Sequence, residues 1–410
     1  MNLTVLTNNN HHQQVEIMNV DSLFDPITAE AFIDHHWEEK PLLIKRENTQ
    51  YYSALLSMQQ LMDVFDANEF LEDDIRIFKD GIKVPFEEFV YRPNPRAEHQ
   101  PANLPANRTE ALSRFNSGAT LVFEKLYRKH LPLNQFLTQI EKIFHVKAGA
   151  NVYLTPPDNT GFSSHFDTHD VVILQIAGTK QWSVSSNPIK LPSREDKHLA
   201  TSDVVKEARH LEDILMTPGD LLYLPRGYVH SATSCDNFSL HITISLMGAS
   251  GMDLIERSLK SSLRNNVALR KYLKFKKPFD AETFRNELIA EIRQIDFEQH
   301  VQELHLDYLK HTFPTEHGKM ARMINGDPLK PDTQCQLNPH MLWHYFQREN
   351  DLLVIFDGKQ MEMPKEFTEA IMFIEKQQQF TPGELPGFES EIQLMLCEKL
   401  IDEGFVNIAV

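Results

Sequence analysis

Between Gly149 and Gly248 the apolar residues come in short β-type runs, from GANVYLTPP through DVVILQIAG and GDLLYLPRG to HITISLMG, each cut off by glycine, proline or asparagine. Valine, isoleucine, tyrosine and threonine suit a pleated strand, and the punctuating residues turn the chain too often for a long helix. A series of this kind closes into a barrel or packs as a sandwich. Because helical periodicity flanks the block on both sides, the fold class expected of the whole is α+β.

Upstream, TAEAFIDHHWEEK has helical spacing with Thr28 placed to begin the helix, and KPLLIKR reads as a strand. YRPNPRAEHQPANLPANRTE is a linker by composition, and LNQFLTQIEKIFHV returns to helical spacing. After Gly248 the periodicity is helical to about Phe313, interrupted at KKPF, with ETFRNELIAEIRQI as its clearest amphipathic piece. A second linker carries Pro328, Pro331 and Pro339. The tail then reads as helix (HMLWHYFQ), strand (LLVIF), turn at Asp357-Gly358, strand (QMEM), helices (EFTEAIMFIEKQ, ESEIQLMLCEKLIDEG) and strand (FVNIAV), an order resembling a winged-helix unit. The divisions expected are 1–248, 249–325 and 326–410.

A chain of 410 residues exceeds the usual size of one domain, which agrees with several units. No run approaches the roughly 20 apolar residues that span a bilayer, and the first residues lack the pattern of a signal peptide, so no membrane and a cytoplasmic location are expected. The three cysteines, Cys235, Cys335 and Cys397, are widely spaced and odd in number, which excludes a disulfide framework and a thiolate zinc site. Any metal must be held by imidazole and carboxylate. A formal charge of −17 argues against direct DNA binding and favours a basic partner. The one basic run, ERSLKSSLRNNVALRKYLKFKK, reads as a solvated helix face at a domain edge.

The stretch SSHFDTHDVVILQIAGTKQW concentrates the chemistry. Residues two apart on a strand share a face, so His165 and Asp167 can converge on one ion, and the same parity admits His169. Spacing does not choose between the pairs His165–Asp167 and Asp167–His169. A third ligand is offered by TPGDLLYLPRGYVHSAT, whose Gly219, Pro225, Gly227 and His230 follow the second motif of cupin barrels. Two imidazoles and a carboxylate on one face of an octahedral ion leave three positions open, the arrangement of non-haem Fe(II) oxygenases. Lys180 follows Gly178 and Thr179, which read as a hairpin turn, and shares parity with Trp182. An inward lysine is a buried charge that needs an anion, and a dicarboxylate would supply it.

These residues, with HHWEEKPLLIKR, GATLVFEKL and HITIS, resemble the JmjC-domain ribosomal oxygenases, 2-oxoglutarate-dependent hydroxylases of ribosomal-protein side chains. The resemblance covers nearly the whole chain. It implies a double-stranded β-helix with N-terminal α/β elements, a helical dimerisation region giving a homodimer, and a C-terminal winged-helix-like domain. It assigns Fe(II) to His165, Asp167 and His230, leaving His169 and Asp170 as supporting or turn residues. It places Lys180 against the distal carboxylate of 2-oxoglutarate, supported by Thr243, and puts Asn151, Tyr153 and Ser245 in the substrate pocket. The reaction implied consumes O2 and 2-oxoglutarate to hydroxylate a histidyl or arginyl side chain, with HITIS leaning to the histidyl type. Competing readings are hydroxylation of another peptide or natural-product precursor, methyl-lysine demethylation, cupin metal chemistry without 2-oxoglutarate, and a non-catalytic cupin-like binding scaffold.

Overall fold

The computed structural model describes residues 3–8, 20–92, 103–275, 278–310, 328–339 and 341–408. Most of the first expected linker, the residues just before Pro328, and Lys276 and Lys277 of the basic run lie outside them. Two units divide the chain, Met1–Met247 and Gly248–Val410.

The first unit is built on an eleven-stranded mixed sheet. Its strands are β1 (Thr4–Asn8), β2 (Leu42–Arg46), β3 (Ile75–Lys79), β4 (Ile82–Lys83), β5 (Thr120–Phe123), β6 (Lys147–Thr155), β7 (Thr160–His165), β8 (Asp170–Ser185), β9 (His210–Met216), β10 (Leu221–Leu224) and β11 (His230–Met247). The main path runs β1-β2-β10-β8-β11-β6-β5-β3-β4, with β7 added to β11 and β9 to β8. The two longest strands change partners along their length. β8 pairs with β10 over Val171–Leu174 and with β9 over Lys180–Ser185, while β11 pairs with β7 near His230 and with β6 from Ser239 onward.

Near-continuous apolar runs are explained by burial on both faces. Leu42, Ile44, Val172, Leu174, Leu221 and Tyr223 enter the larger core, and the alternate residues Leu43, Val171, Ile173, Leu222 and Leu224 enter a second core on the opposite face. Helix Leu131–Phe144 covers the larger core with Leu133, Phe136, Leu137, Ile140 and Phe144, at spacings of three and four. Fully burying such side chains contributes roughly 1.5–3 kcal/mol each.

Gly178 and Thr179 do not form the expected hairpin turn, because β8 runs through them unbroken. Gly178 has φ +64°, and a Cβ there would lie 1.7 Å from the Phe238 carbonyl oxygen. The glycine sits beside register shifts in the β8–β11 ladder, between Ser234 and Ser239 and between Leu240 and His241. A bulge and a turn both call for glycine at positive φ, which is why the two look alike in sequence.

The second unit opens with helices Gly251–Leu263, Ala281–Ile292 and Phe297–Lys310. Arg257 of the basic run is not simply solvated: it pairs with Glu303 at 3.4 Å and Asp307 at 2.5 Å across two of these helices. Beyond them lie strands β12 (Cys335–Leu337), β13 (Trp343–Gln347), β14 (Asp351–Phe356), β15 (Lys359–Pro364), β16 (Gln379–Phe380) and β17 (Val406–Ile408), with helices Thr368–Gln377 and Ser390–Asp402. They form two three-stranded sheets, β16-β12-β17 and β13-β14-β15. HMLWHYFQ, expected as a helix, instead contributes β13, paired antiparallel with β14 from Trp343↔Phe356 to Gln347↔Leu352. Its aromatic residues fit a pleated surface, and the segment is too short for helical periodicity to be distinctive.

Candidate active site

β7 ends at His165 and β11 begins at His230, and the two histidines are register partners. Their rings lie side by side, with centroids 4.5 Å apart. Asp167 follows just beyond β7, in a turn pinned by the Gly227 N–H, which donates to the Asp167 carbonyl at 3.0 Å. Gly227 can make this approach because it has φ +91° and no side chain; a Cβ there would come within 2.3 Å of the Ile189 carbonyl oxygen. Ligand atoms of His165, Asp167 and His230 all lie within 4.8 Å of one another. His169 lines the same cavity but is not part of that cluster.

His165 Nδ1 is 2.8 Å from the Ser163 carbonyl and His230 Nδ1 is 3.0 Å from the Tyr228 carbonyl. A carbonyl only accepts, so each Nδ1 carries a proton and each neutral ring turns an Nε2 lone pair to the centre. Burial, reinforced by His165, pushes the pKa of His230 down to about 4. Burial pushes the Asp167 carboxyl up, but His230, His165, His169 and Lys197 together outweigh it and hold the pKa below the ordinary range. Two neutral imidazoles and one ionised carboxylate are a donor set suited to a ferrous ion.

Asp170, at the start of β8, is buried and accepts from the Tyr223 hydroxyl at 2.9 Å and the Arg226 N–H at 2.8 Å. Burial raises its pKa to about 6. These bonds tie the segment between the ligands to β10 and to the loop that delivers His230. Arg226 in turn pairs with Glu38, and Tyr223 accepts from the Glu38 N–H at 2.8 Å. The N-terminal elements thus brace the ligand loops.

A cavity of about 320 Å³ opens beside the three ligands. Lys180 reaches into it from β8, 2% exposed, and donates to the Thr155 hydroxyl at 3.1 Å. Among the described residues no carboxylate pairs with it, and burial pushes its pKa down to about 7. Thr243, Asn151, Tyr153 and Ser245 all line the cavity. Thr243 and Asn151 are register partners on β11 and β6. The Asn151 side-chain oxygen accepts from the Lys125 N–H at 3.1 Å, which fixes its orientation. Tyr153 stacks on His241, with centroids 4.7 Å apart and planes 4° from parallel.

Several lining residues were not singled out from sequence. His241, which lines the cavity, and Thr155, which meets the Lys180 ammonium, share strand parity with Thr243 and Tyr153, so the alternation could have found them. Arg76 and Glu124, an ion pair at 3.3 Å on the cavity wall, come from distant strands with no local signal.

Residues 127–254 match the family described as JmjC domain. The chain is 29% identical over 318 residues to the bifunctional lysine-specific demethylase and histidyl-hydroxylase NO66 of Drosophila persimilis, covering 75% of this chain and 43% of that protein. It is 30% identical over 264 residues to ribosomal oxygenase 1 of Danio rerio, covering 61% and 45%. It spans less than half the length of these relatives. Among solved structures, the Escherichia coli ribosomal oxygenase YcfD superposes with a TM-score of 0.50 at 16% identity, covering 94% of this chain and 98% of that one. A structure of the same protein in complex with cobalt and 2-oxoglutarate matches with the same TM-score. At that identity the likeness is one of fold.

Proposed function

The chain carries a JmjC domain, and from that premise we propose that it is an Fe(II)- and 2-oxoglutarate-dependent oxygenase that hydroxylates a histidyl or arginyl side chain of a ribosomal protein. The observation that carries this reading is a buried lysine, without a carboxylate partner among the described residues, lining the same cavity as a histidine–carboxylate–histidine cluster. His165, Asp167 and His230 would hold the iron, and Lys180, hydrogen-bonded to Thr155 and supported by Thr243 on the same cavity wall, the distal carboxylate of 2-oxoglutarate. When bound, the iron and the keto acid supply the O2 chemistry that puts a hydroxyl on an unactivated carbon.

The protein's part is binding, orientation and exclusion of water. The Nδ1–H bonds to Ser163 and Tyr228 keep both imidazoles turned to one point. An anion at Lys180 restores the ammonium that burial alone disfavours, so keto-acid binding and lysine protonation support one another. Phe78 and Phe162, packed with ring centroids 4.4 Å apart, form an apolar wall, and Asn151, Tyr153 and Ser245 offer polar groups to the substrate side chain.

A ribosomal protein is the substrate class suggested by the relatives' names and by a net charge of −17, which complements a basic partner. Exposed apolar residues on the first helices of the second unit, including Met252, Ile255, Phe284 and Ile289, suit a homodimer. The C-terminal strands and helices serve as a winged-helix-like module without DNA binding, since the helix Ser390–Asp402 carries more acids than bases. No helix among the described residues is long and apolar enough to cross a membrane. A cytoplasmic location completes the reading.

The test is an anaerobic titration with Fe(II) and 2-oxoglutarate. A weak visible charge-transfer band is expected, and its absence favours a binding scaffold. Mass spectrometry of ribosomal proteins from cells with and without the gene then identifies the target by one added oxygen. Loss of methyl groups from lysine instead would assign the chain to demethylation.

A further inference from the structure

Two polar atoms of residues that line the cavity, His241 Nδ1 and Trp182 Nε1, are buried without a hydrogen-bond partner among the described residues. Both residues line the cavity with Lys180, and all three are nearly inaccessible: Lys180 and His241 are 2% exposed and Trp182 is 5%. The Trp182 ring stands edge-on to His241 with centroids 5.5 Å apart, and the Lys180 ammonium lies 5.9 Å from the centre of the indole. Buried polar groups are almost always satisfied, so unpaired nitrogens on two residues that line one cavity point to a partner supplied by a ligand.

The imidazole is held from two sides. Tyr153 stacks flat against one face, and the strand register sets His241 between Tyr153 on β6 and Gln175 on β8. The ring therefore has a fixed plane and a fixed edge. Burial and the charge of Lys180 hold its pKa well below the ordinary value, so it stays neutral and adds no second cation to the pocket. A neutral imidazole can still donate one N–H. Lys180 already gives one of its three protons to Thr155, and a carboxylate has about four acceptor sites, more than the lysine alone can fill.

We propose that His241 is a positioning residue for the keto diacid, donating from Nδ1 to the carboxylate that Lys180 holds and setting the angle at which the chain of that acid enters the metal centre. This inference rests on the oxygenase reading above and extends it to a residue outside the metal ligands and the lysine. In the absence of the diacid the nitrogen is unsatisfied; with it, lysine and imidazole form a two-point clamp. A clamp of two donors fixes direction as well as affinity.

The experiment is calorimetric titration of 2-oxoglutarate into Mn(II)-loaded protein under argon, for the wild type, His241→Phe and His241→Asn. Phenylalanine keeps the stack on Tyr153 and removes the donor, whereas asparagine keeps a donor. The expected result is at least a tenfold loss of 2-oxoglutarate affinity for His241→Phe, recovery to within about threefold of wild type for His241→Asn, and unchanged Mn(II) affinity in both. Equal affinity in the phenylalanine variant and the wild type overturns the inference. So does an equal loss in both variants, because a residue needed only for packing would give that pattern.

A second readout needs no variant to fold: nitrogen NMR of the Zn(II)-loaded wild type labelled at histidine. Adding 2-oxoglutarate should shift the His241 Nδ1 resonance as a new hydrogen bond forms, and a resonance that does not move overturns the proposal. If the wild type itself fails to bind 2-oxoglutarate, the oxygenase reading fails first. If it binds and His241 is indifferent, only the present inference falls.

Discussion

Replacing Lys180 by methionine should make the metal-free protein more stable at neutral pH while destroying its hold on the diacid. The ammonium is 2% exposed, and burial pushes its pKa from the ordinary 10.5 down to about 7. At pH below 7 the lysine is protonated in both native and unfolded states, and the penalty for burying its charge is fully present. As pH rises from about 7 toward 10.5 the native lysine loses its proton first, the unfolded chain then binds more protons, and stability increases. Each unit in that window is worth about 1.4 kcal/mol, so the wild type should gain roughly 2 kcal/mol on Lys180→Met between about pH 7 and about pH 9. At neutral pH the variant should lead by roughly 4 kcal/mol if its packing is as good. Methionine has nearly the same reach, and the Thr155 hydroxyl keeps the Thr120 hydroxyl at 3.3 Å as a partner. Urea unfolding of metal-free wild type and variant at the two pH values measures the difference. A gap that does not change with pH, or a variant less stable at neutral pH, would refute the claim that an uncompensated buried ammonium sits in this cavity.

Other outcomes test the remaining parts. His165→Ala and His230→Ala should each lose Fe(II) binding by at least 100-fold in equilibrium dialysis while keeping the wild-type circular dichroism spectrum. His169→Ala should retain the metal, since its side chain lies outside the ligand cluster, and loss of iron there would restore the pair Asp167–His169. Gly178→Ala should destabilise the first unit by about 3 kcal/mol or more, seen as a lowered Tm, because both the positive φ and the Phe238 carbonyl reject a Cβ. An unchanged Tm would mean that β8 can relax where the structure gives it no room.

Period-two alternation made the β-rich block legible, because strands buried on both faces leave a dense apolar signature that survives without any alignment. The same alternation left His165 and His169 equivalent. What separates them is long-range: β7 ends at His165, where that residue pairs with His230 some 65 positions later. Thr28 does cap its helix, accepting from the Ala31 N–H at 3.1 Å, since capping is a local effect. Arg76 and Glu124 could not be anticipated, because only the closure of β3 and β5 onto β6 brings them to the cavity. Gly178 and HMLWHYFQ were misread where one local signature serves two conformations.

The irregular crossing of β8 and β11 has a further effect on aim. On one side of it the cavity is lined by Val171 and Ile173 on β8 and by His241, Thr243 and Ser245 on β11; on the other, by Lys180 and Trp182 on β8 and by His230 and Ala232 on β11. Odd-numbered residues face the cavity on the first side of the crossing and even-numbered residues on the second, in the same sense on both strands. A perfectly regular ribbon would keep His230 and Lys180 on one face and point His241, Thr243 and Ser245 away from them. One local phase inversion turns both ends of a single pair of strands toward one cavity, and a one-residue insertion or deletion there would set those ends back to back.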